Sequence, residues 1–167
     1  VIDKPDAVQT EIRVGHLALA RKHEDYFALD QAVKILGGEG ANRLFGVLRS
    51  ERGLTYGASA DLNAFRMTGE IVAETDTRSP ATGEALRLMV DEFSRIQRES
   101  VNPLELRGAQ DFLAGNFPLT IEAPGAIAQQ VLAHMFFGLD LSEIKSYRDR
   151  VERVTTMDVQ RVAKQFL

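Results

Sequence analysis

One strand, two helices, a pair of strands and then only helices: that order predicts an α+β domain, a small, mainly antiparallel sheet covered on one face by helices. Three observations predict it. Residues 8–19 alternate between apolar and polar, and residues 54–62 and 65–75 alternate again across a short connection. After Thr77 the apolar residues recur at helical spacing, and Ser, Thr, Asn and Pro mark the starts. At 167 residues and 18.5 kDa the chain is the size of one domain, with no linker, repeat or low-complexity tract to divide it.

The first strand puts Val8, Thr10, Ile12, Val14, His16 and Ala18 on one side. His16 falls on the apolar side, where a hydrogen-bonded core histidine is the expectation. Asp25 caps a helix running to Leu36, with Leu29, Ala32, Val33 and Leu36 on one face. Gly37 and Gly38 follow as a helix stop of the positive-φ kind. Asn42 caps a short helix whose Leu44, Phe45 and Leu48 point one way, and Gly53 ends it. Strand alternation then starts at Leu54, turns near Asn63-Ala64 and returns with Met67, Ile71 and Ala73 on one face, most simply as an antiparallel hairpin.

The helices follow in turn. Ser79-Pro80 reads as an N-cap with proline at the first helical position, before the stripe Ala85, Leu86, Met89, Val90, Phe93 and Ile96. Asn102-Pro103-Leu104-Glu105 has the form of a capping box, followed by Leu106, Ala109, Leu113 and Phe117, and Pro118 ends the helix. Pro124 opens the next, with Ile127, Val131, Leu132, Met135 and Phe136, and Gly138 closes it. Ser142 starts a helix with Ile144, Tyr147, Val151 and Val154 inward, and Thr155 caps a last one with Val159, Val162, Ala163 and Phe166.

Composition excludes several classes of chemistry. A net charge of −4 and the lack of any Lys/Arg block give no footprint for nucleic acid. With no cysteine there is no disulfide frame, zinc ribbon or thiol nucleophile. No apolar run reaches the ~18 residues of a membrane span. The opening Val1-Ile2-Asp3 is neither a start methionine nor a signal peptide, and it reads as a processed piece of something longer. The three histidines, His16, His23 and His134, include no pair at i+4, so the chain alone builds no protease-type zinc site. Gly37-Gly38-Glu39-Gly40 follows a helix, lacks the Lys-Ser/Thr of a P-loop and carries Glu39, which would repel phosphate. No Gly-x-Ser-x-Gly elbow occurs, and Glu70 and Glu74 fall on the outward side of their strand.

Arg49 and Tyr56 are the residues with the most to say. They stand seven positions apart across the junction from short helix to strand. From the residues alone, Tyr56 shares parity with Leu54 and Ala58, as a first core residue of the strand would. Arg49 occupies a helix C-terminus, where a cation is favoured. Either could be structural.

The runs Gln9-Thr10-Glu11-Ile12-Arg13-Val14-Gly15-His16, Leu36-Gly37-Gly38, Asn42-Arg43-Leu44-Phe45 and Leu48-Arg49-Ser50-Glu51-Arg52-Gly53-Leu54-Thr55-Tyr56-Gly57 resemble the zinc-free C-terminal domain of the M16 metallopeptidases. These are the relatives of pitrilysin, insulysin and the mitochondrial processing peptidases. Thr156-Met157-Asp158-Val159-Gln160-Arg161-Val162-Ala163 resembles that domain's closing helix.

The resemblance implies a half-molecule whose partner, an N-terminal domain or a separate subunit, bears His-x-x-Glu-His and zinc. An unfolded peptide would be enclosed between the two halves. Arg49 and Tyr56 match the arginine and tyrosine that reach into that site, Arg49 to hold substrate carbonyl groups and Tyr56 to donate to the oxyanion. Gly37, Gly38, Gly40, Asn42 and Gly53 would shape the loop, with Asn42 in place of the family's frequent serine. The likeness further implies a final strand beyond Leu167, no activity for this chain alone and a homo- or heterodimeric assembly. It leaves the compartment open between cytoplasm and periplasm, with the periplasm favoured. The alternatives are a non-catalytic scaffold of the same fold and a small-molecule or nucleotide-binding α+β module.

Overall fold

The core side of the sheet is written in the middle strand. In the computed structural model, which describes residues 4–39 and 42–167, β1 (Gln9–Ala18), β2 (Ala58–Ala64) and β3 (Gly69–Arg78) form a three-stranded antiparallel sheet in the order β1-β3-β2. Ile71, Ala73, Thr75 and Thr77 of β3 face inward and are buried, while Glu70, Val72, Glu74 and Asp76 face out. The register pairs Ile12 with Thr75 and Ala60 with Ala73, which puts inward residues of all three strands on one face.

That face is covered by α1 (Tyr26–Gly37), whose Leu29, Ala32, Val33 and Leu36 are fully buried. Gly37 allows the close approach. A Cβ there would stand 2.3 Å from the backbone nitrogen of Ala60, so β2 can lie against α1 only where a side chain is missing. This corrects the expectation of a positive φ at Gly37 and Gly38: among the described residues only Gly53 (φ 60°) and Gly138 (φ 68°) take it. Gly38 is extended (φ −72°, ψ −179°).

The short helix α2 (Arg43–Phe45) runs into a wider turn of π type, Gly46–Glu51. The rest of the chain is helical: α3 (Thr82–Arg98), α4 (Pro103–Asn116), α5 (Pro124–Phe137), α6 (Ser142–Arg153) and α7 (Thr156–Phe166). Apolar residues of α3 and α7, Met89, Ile96, Val159 and Val162 among them, join the same buried cluster as α1 and the sheet. Two buried glutamines close the end of α6. Gln31 Nε2 donates to the Val151 carbonyl (2.9 Å) and Gln110 Nε2 to that of Val154 (3.0 Å), serving acceptors that a helix end leaves open.

Both expected capping boxes are present, Asn102 with Glu105 and Thr155 with Asp158. Other expectations need correction. Strand pairing begins at Ala58 rather than Leu54, and Met67 lies exposed in the turn between β2 and β3. Ser79 does not cap α3. Its Oγ donates to the Ala7 carbonyl (2.6 Å) and secures the entry to β1. Asp25 precedes α1 without capping it, because Arg161 of α7 binds its carboxylate through both oxygens, at 2.6 and 3.0 Å. His16 is exposed near the end of the edge strand β1. Leu86 and Val90 of α3 and Ile127, Leu132, Met135 and Phe136 of α5 are also exposed.

Candidate functional site

The junction between the π turn and β2 is where Arg49 and Tyr56 meet. Asn42 starts it by accepting the Phe45 N–H (2.8 Å), and the buried Leu44 and Leu48 fix the helix to the core. The turn closes with Gly53 N–H donating to Arg49 O (3.0 Å) and Leu54 N–H to Leu48 O (2.8 Å). Gly53 takes the positive φ this reversal demands. The chain then runs back along the turn it has just left.

Arg49 is thereby brought against Tyr56. Its Nη1 donates to the Tyr56 carbonyl at 2.8 Å, and the guanidinium lies 5.2 Å from the Tyr56 ring and 5.6 Å from that of Phe45. One of the five N–H donors of the guanidinium is spent on that carbonyl. The Tyr56 side chain is 90% exposed, so it is not the first core residue of a strand. Its phenol has no hydrogen-bond partner among the described residues. A cavity of about 360 Å³ begins at the next residue, lined by Gly57, Ala58, Ser59, Glu74, Thr75 and Asp76.

Of the other residues expected in the loop, Gly38 accepts from the Asn42 side chain, and Glu39 pairs with Lys34 (3.4 Å). A hydrogen bond from its own backbone, and to a lesser degree the Lys34 ammonium, lowers the Glu39 carboxyl from its ordinary value. Gly40 lies outside the described residues. Thr75 and Thr77, two buried hydroxyls contacting residues 54–57, were missed by sequence reasoning. The signal was available, since continuing the Ile71/Ala73 alternation places both on the core face.

The histidines are dispersed. His134 is buried, with Nδ1 2.8 Å from Gln130 O, His23 Nδ1 accepts from Asp25 N–H (3.1 Å), and His16 Nδ1 lies 2.9 Å from Leu17 O. Among the described residues no three His, Asp or Glu side chains converge as metal ligands. The described side chains therefore offer no set of the three or four convergent donors that zinc takes. Nor is any helix of the described residues long and apolar enough to cross a membrane.

The described residues thus form a small antiparallel sheet under helices, with no convergent metal ligands among them and a half-buried Arg49 against an exposed Tyr56. The chain belongs to the family described as the peptidase M16 inactive domain, which matches residues 1–113. It is similar to the crystal structure of a peptidase M16 inactive domain from Pseudomonas fluorescens (27% identity, TM-score 0.89, 96% of this chain and 38% of that one). A putative zinc protease from Bordetella pertussis shares the fold at 19% identity (TM-score 0.82, 98% of this chain and 89% of that one). An uncharacterised zinc protease of Streptomyces coelicolor is 26% identical over 160 residues, covering 95% of this chain and 35% of the relative. The mitochondrial-processing peptidase subunit alpha of Caenorhabditis elegans is 23% identical over 177 residues, covering 99% and 34%. The chain thus spans about a third of the length of these two curated relatives.

Proposed function

We propose that this chain is the substrate-clamping half of an M16-type zinc peptidase and that Arg49 and Tyr56 are the groups it presents to the peptide. The observation that carries this reading is the exposed phenol of Tyr56, held on a tied-down turn with its hydroxyl unengaged and a guanidinium alongside. A donor fixed before the reaction begins stabilises charge as it develops on a carbonyl oxygen and needs no reorganisation at that moment. The unspent N–H groups of Arg49 bind carbonyl oxygens of an extended peptide. Zinc, its activated water and the general base belong to a second half, an N-terminal domain or partner subunit. An unfolded peptide lies between the halves.

The test is Tyr56→Phe in the assembly with the zinc-bearing half. Loss of one oxyanion donor lowers kcat by about 100- to 1,000-fold while KM changes little. An unchanged kcat points instead to a scaffold of the same fold.

A further inference from the structure

We propose that Thr75 and Thr77 are positioning residues that fix where the Tyr56 phenol stands, an assignment that rests on the clamping role given to Tyr56 above. Residues 54–57 leave the sheet before β2 begins to pair with β3 at Ala58, so their carbonyls have no ladder partners. Three of those carbonyls are taken by side chains instead. Thr77 Oγ1 donates to Leu54 O (2.8 Å), Arg49 Nη1 to Tyr56 O (2.8 Å) and Thr75 Oγ1 to Gly57 O (2.9 Å). The Gly57 carbonyl also receives Thr55 Oγ1 (2.8 Å), and Leu54 N–H is held by Leu48 O (2.8 Å).

The two threonines differ from Arg49 in what stands behind them. Both are buried, on the inward row of the central strand, and a β-branched side chain has a stiff χ1. Valine would fill the same space in a row that otherwise holds Ile71 and Ala73. What the hydroxyls add is a rigid reference from the core to the backbone on each side of Tyr56. Misplacing a reacting group by about 1 Å costs on the order of 100-fold in rate, so a phenol borne on a loop needs such a reference.

The test uses the complete assembly with the zinc-bearing half and compares T75V/T77V with T75S/T77S and Tyr56→Phe. In T75V/T77V, amide hydrogen exchange over residues 54–57 rises about five- to tenfold, as loss of an ordinary hydrogen bond permits. Its kcat falls by about 10- to 100-fold at unchanged KM, whereas T75S/T77S retains both the protection and the rate. Should the double valine variant not fold, T75V and T77V singly make the same comparison. Unmoved exchange, or raised exchange with an unchanged kcat, overturns the assignment if Tyr56→Phe is itself slow. A normal rate in Tyr56→Phe sinks the clamping role instead.

Discussion

Helices α3 and α5 both carry an apolar stripe, and only one of them is part of the core. Ala85, Met89, Phe93 and Ile96 of α3 are buried against the sheet, α1 and α7, whereas Leu132, Met135 and Phe136 of α5 are more than half exposed and its buried residue is His134. The region around α5 is fastened differently. Phe117 stacks on Tyr147 with ring centres 4.1 Å apart. Glu143 of α6, also buried, receives Arg21 in a short ion pair and Arg150 at 2.8 Å, with His134 at 3.9 Å. One part of the molecule is held by area removed from water, the other by an aromatic stack and a buried carboxylate. The first is tolerant of detail and the second is not, because a buried charge that loses its partner has nothing to replace it.

The largest effect that would sharpen this contrast comes from the first part. Leu36→Ala, at a fully buried position between α1 and the sheet, should cost about 2–5 kcal/mol in urea denaturation. Glu143→Ala tests the second part. It strands the largely buried Arg21 guanidinium and should cost about 3 kcal/mol, with loss of protection concentrated in α5 and α6 on hydrogen exchange.

Asp30 should move stability the other way. Burial pushes its carboxyl up to about 6, although Lys34 and Arg21 pull it back. A carboxyl raised in the fold penalises the native state when ionised. That penalty is complete above about pH 6 and absent below about pH 4, so stability falls as pH rises through this window. Asp30→Asn should therefore stabilise the protein by about 2 kcal/mol at pH 7 and by nothing measurable at pH 4, read from melts at the two pH values.

The smallest effect belongs to α5. Leu132→Ala should change stability by less than about 0.5 kcal/mol, since the side chain has little contact to lose. A cost of 2 kcal/mol or more there would erase the distinction between the two parts.

The caps at Asn42, Asn102 and Thr155, the glycine stops at Gly53 and Gly138, and the inward row Ile71-Ala73 were legible because each is decided within a few residues. The Arg49–Tyr56 junction was legible for the same reason, as a glycine helix stop at Gly53 followed three residues later by an aromatic group. Tyr56 was open between core and surface, since its parity with Leu54 and Ala58 suits either until the strand is seen to begin at Ala58.

By itself, then, the sequence determined the order of the elements, most of their caps and the pairing of an arginine with a tyrosine across one turn. Only the tertiary structure decided which apolar stripes are covered, why Gly37 must be glycine, and that Thr75 and Thr77 serve the backbone around Tyr56. Propensity and capping act over a turn or two of chain, so they can be read in order along it. Burial and long-range hydrogen bonds depend on which segments arrive side by side, and a linear pattern does not contain that.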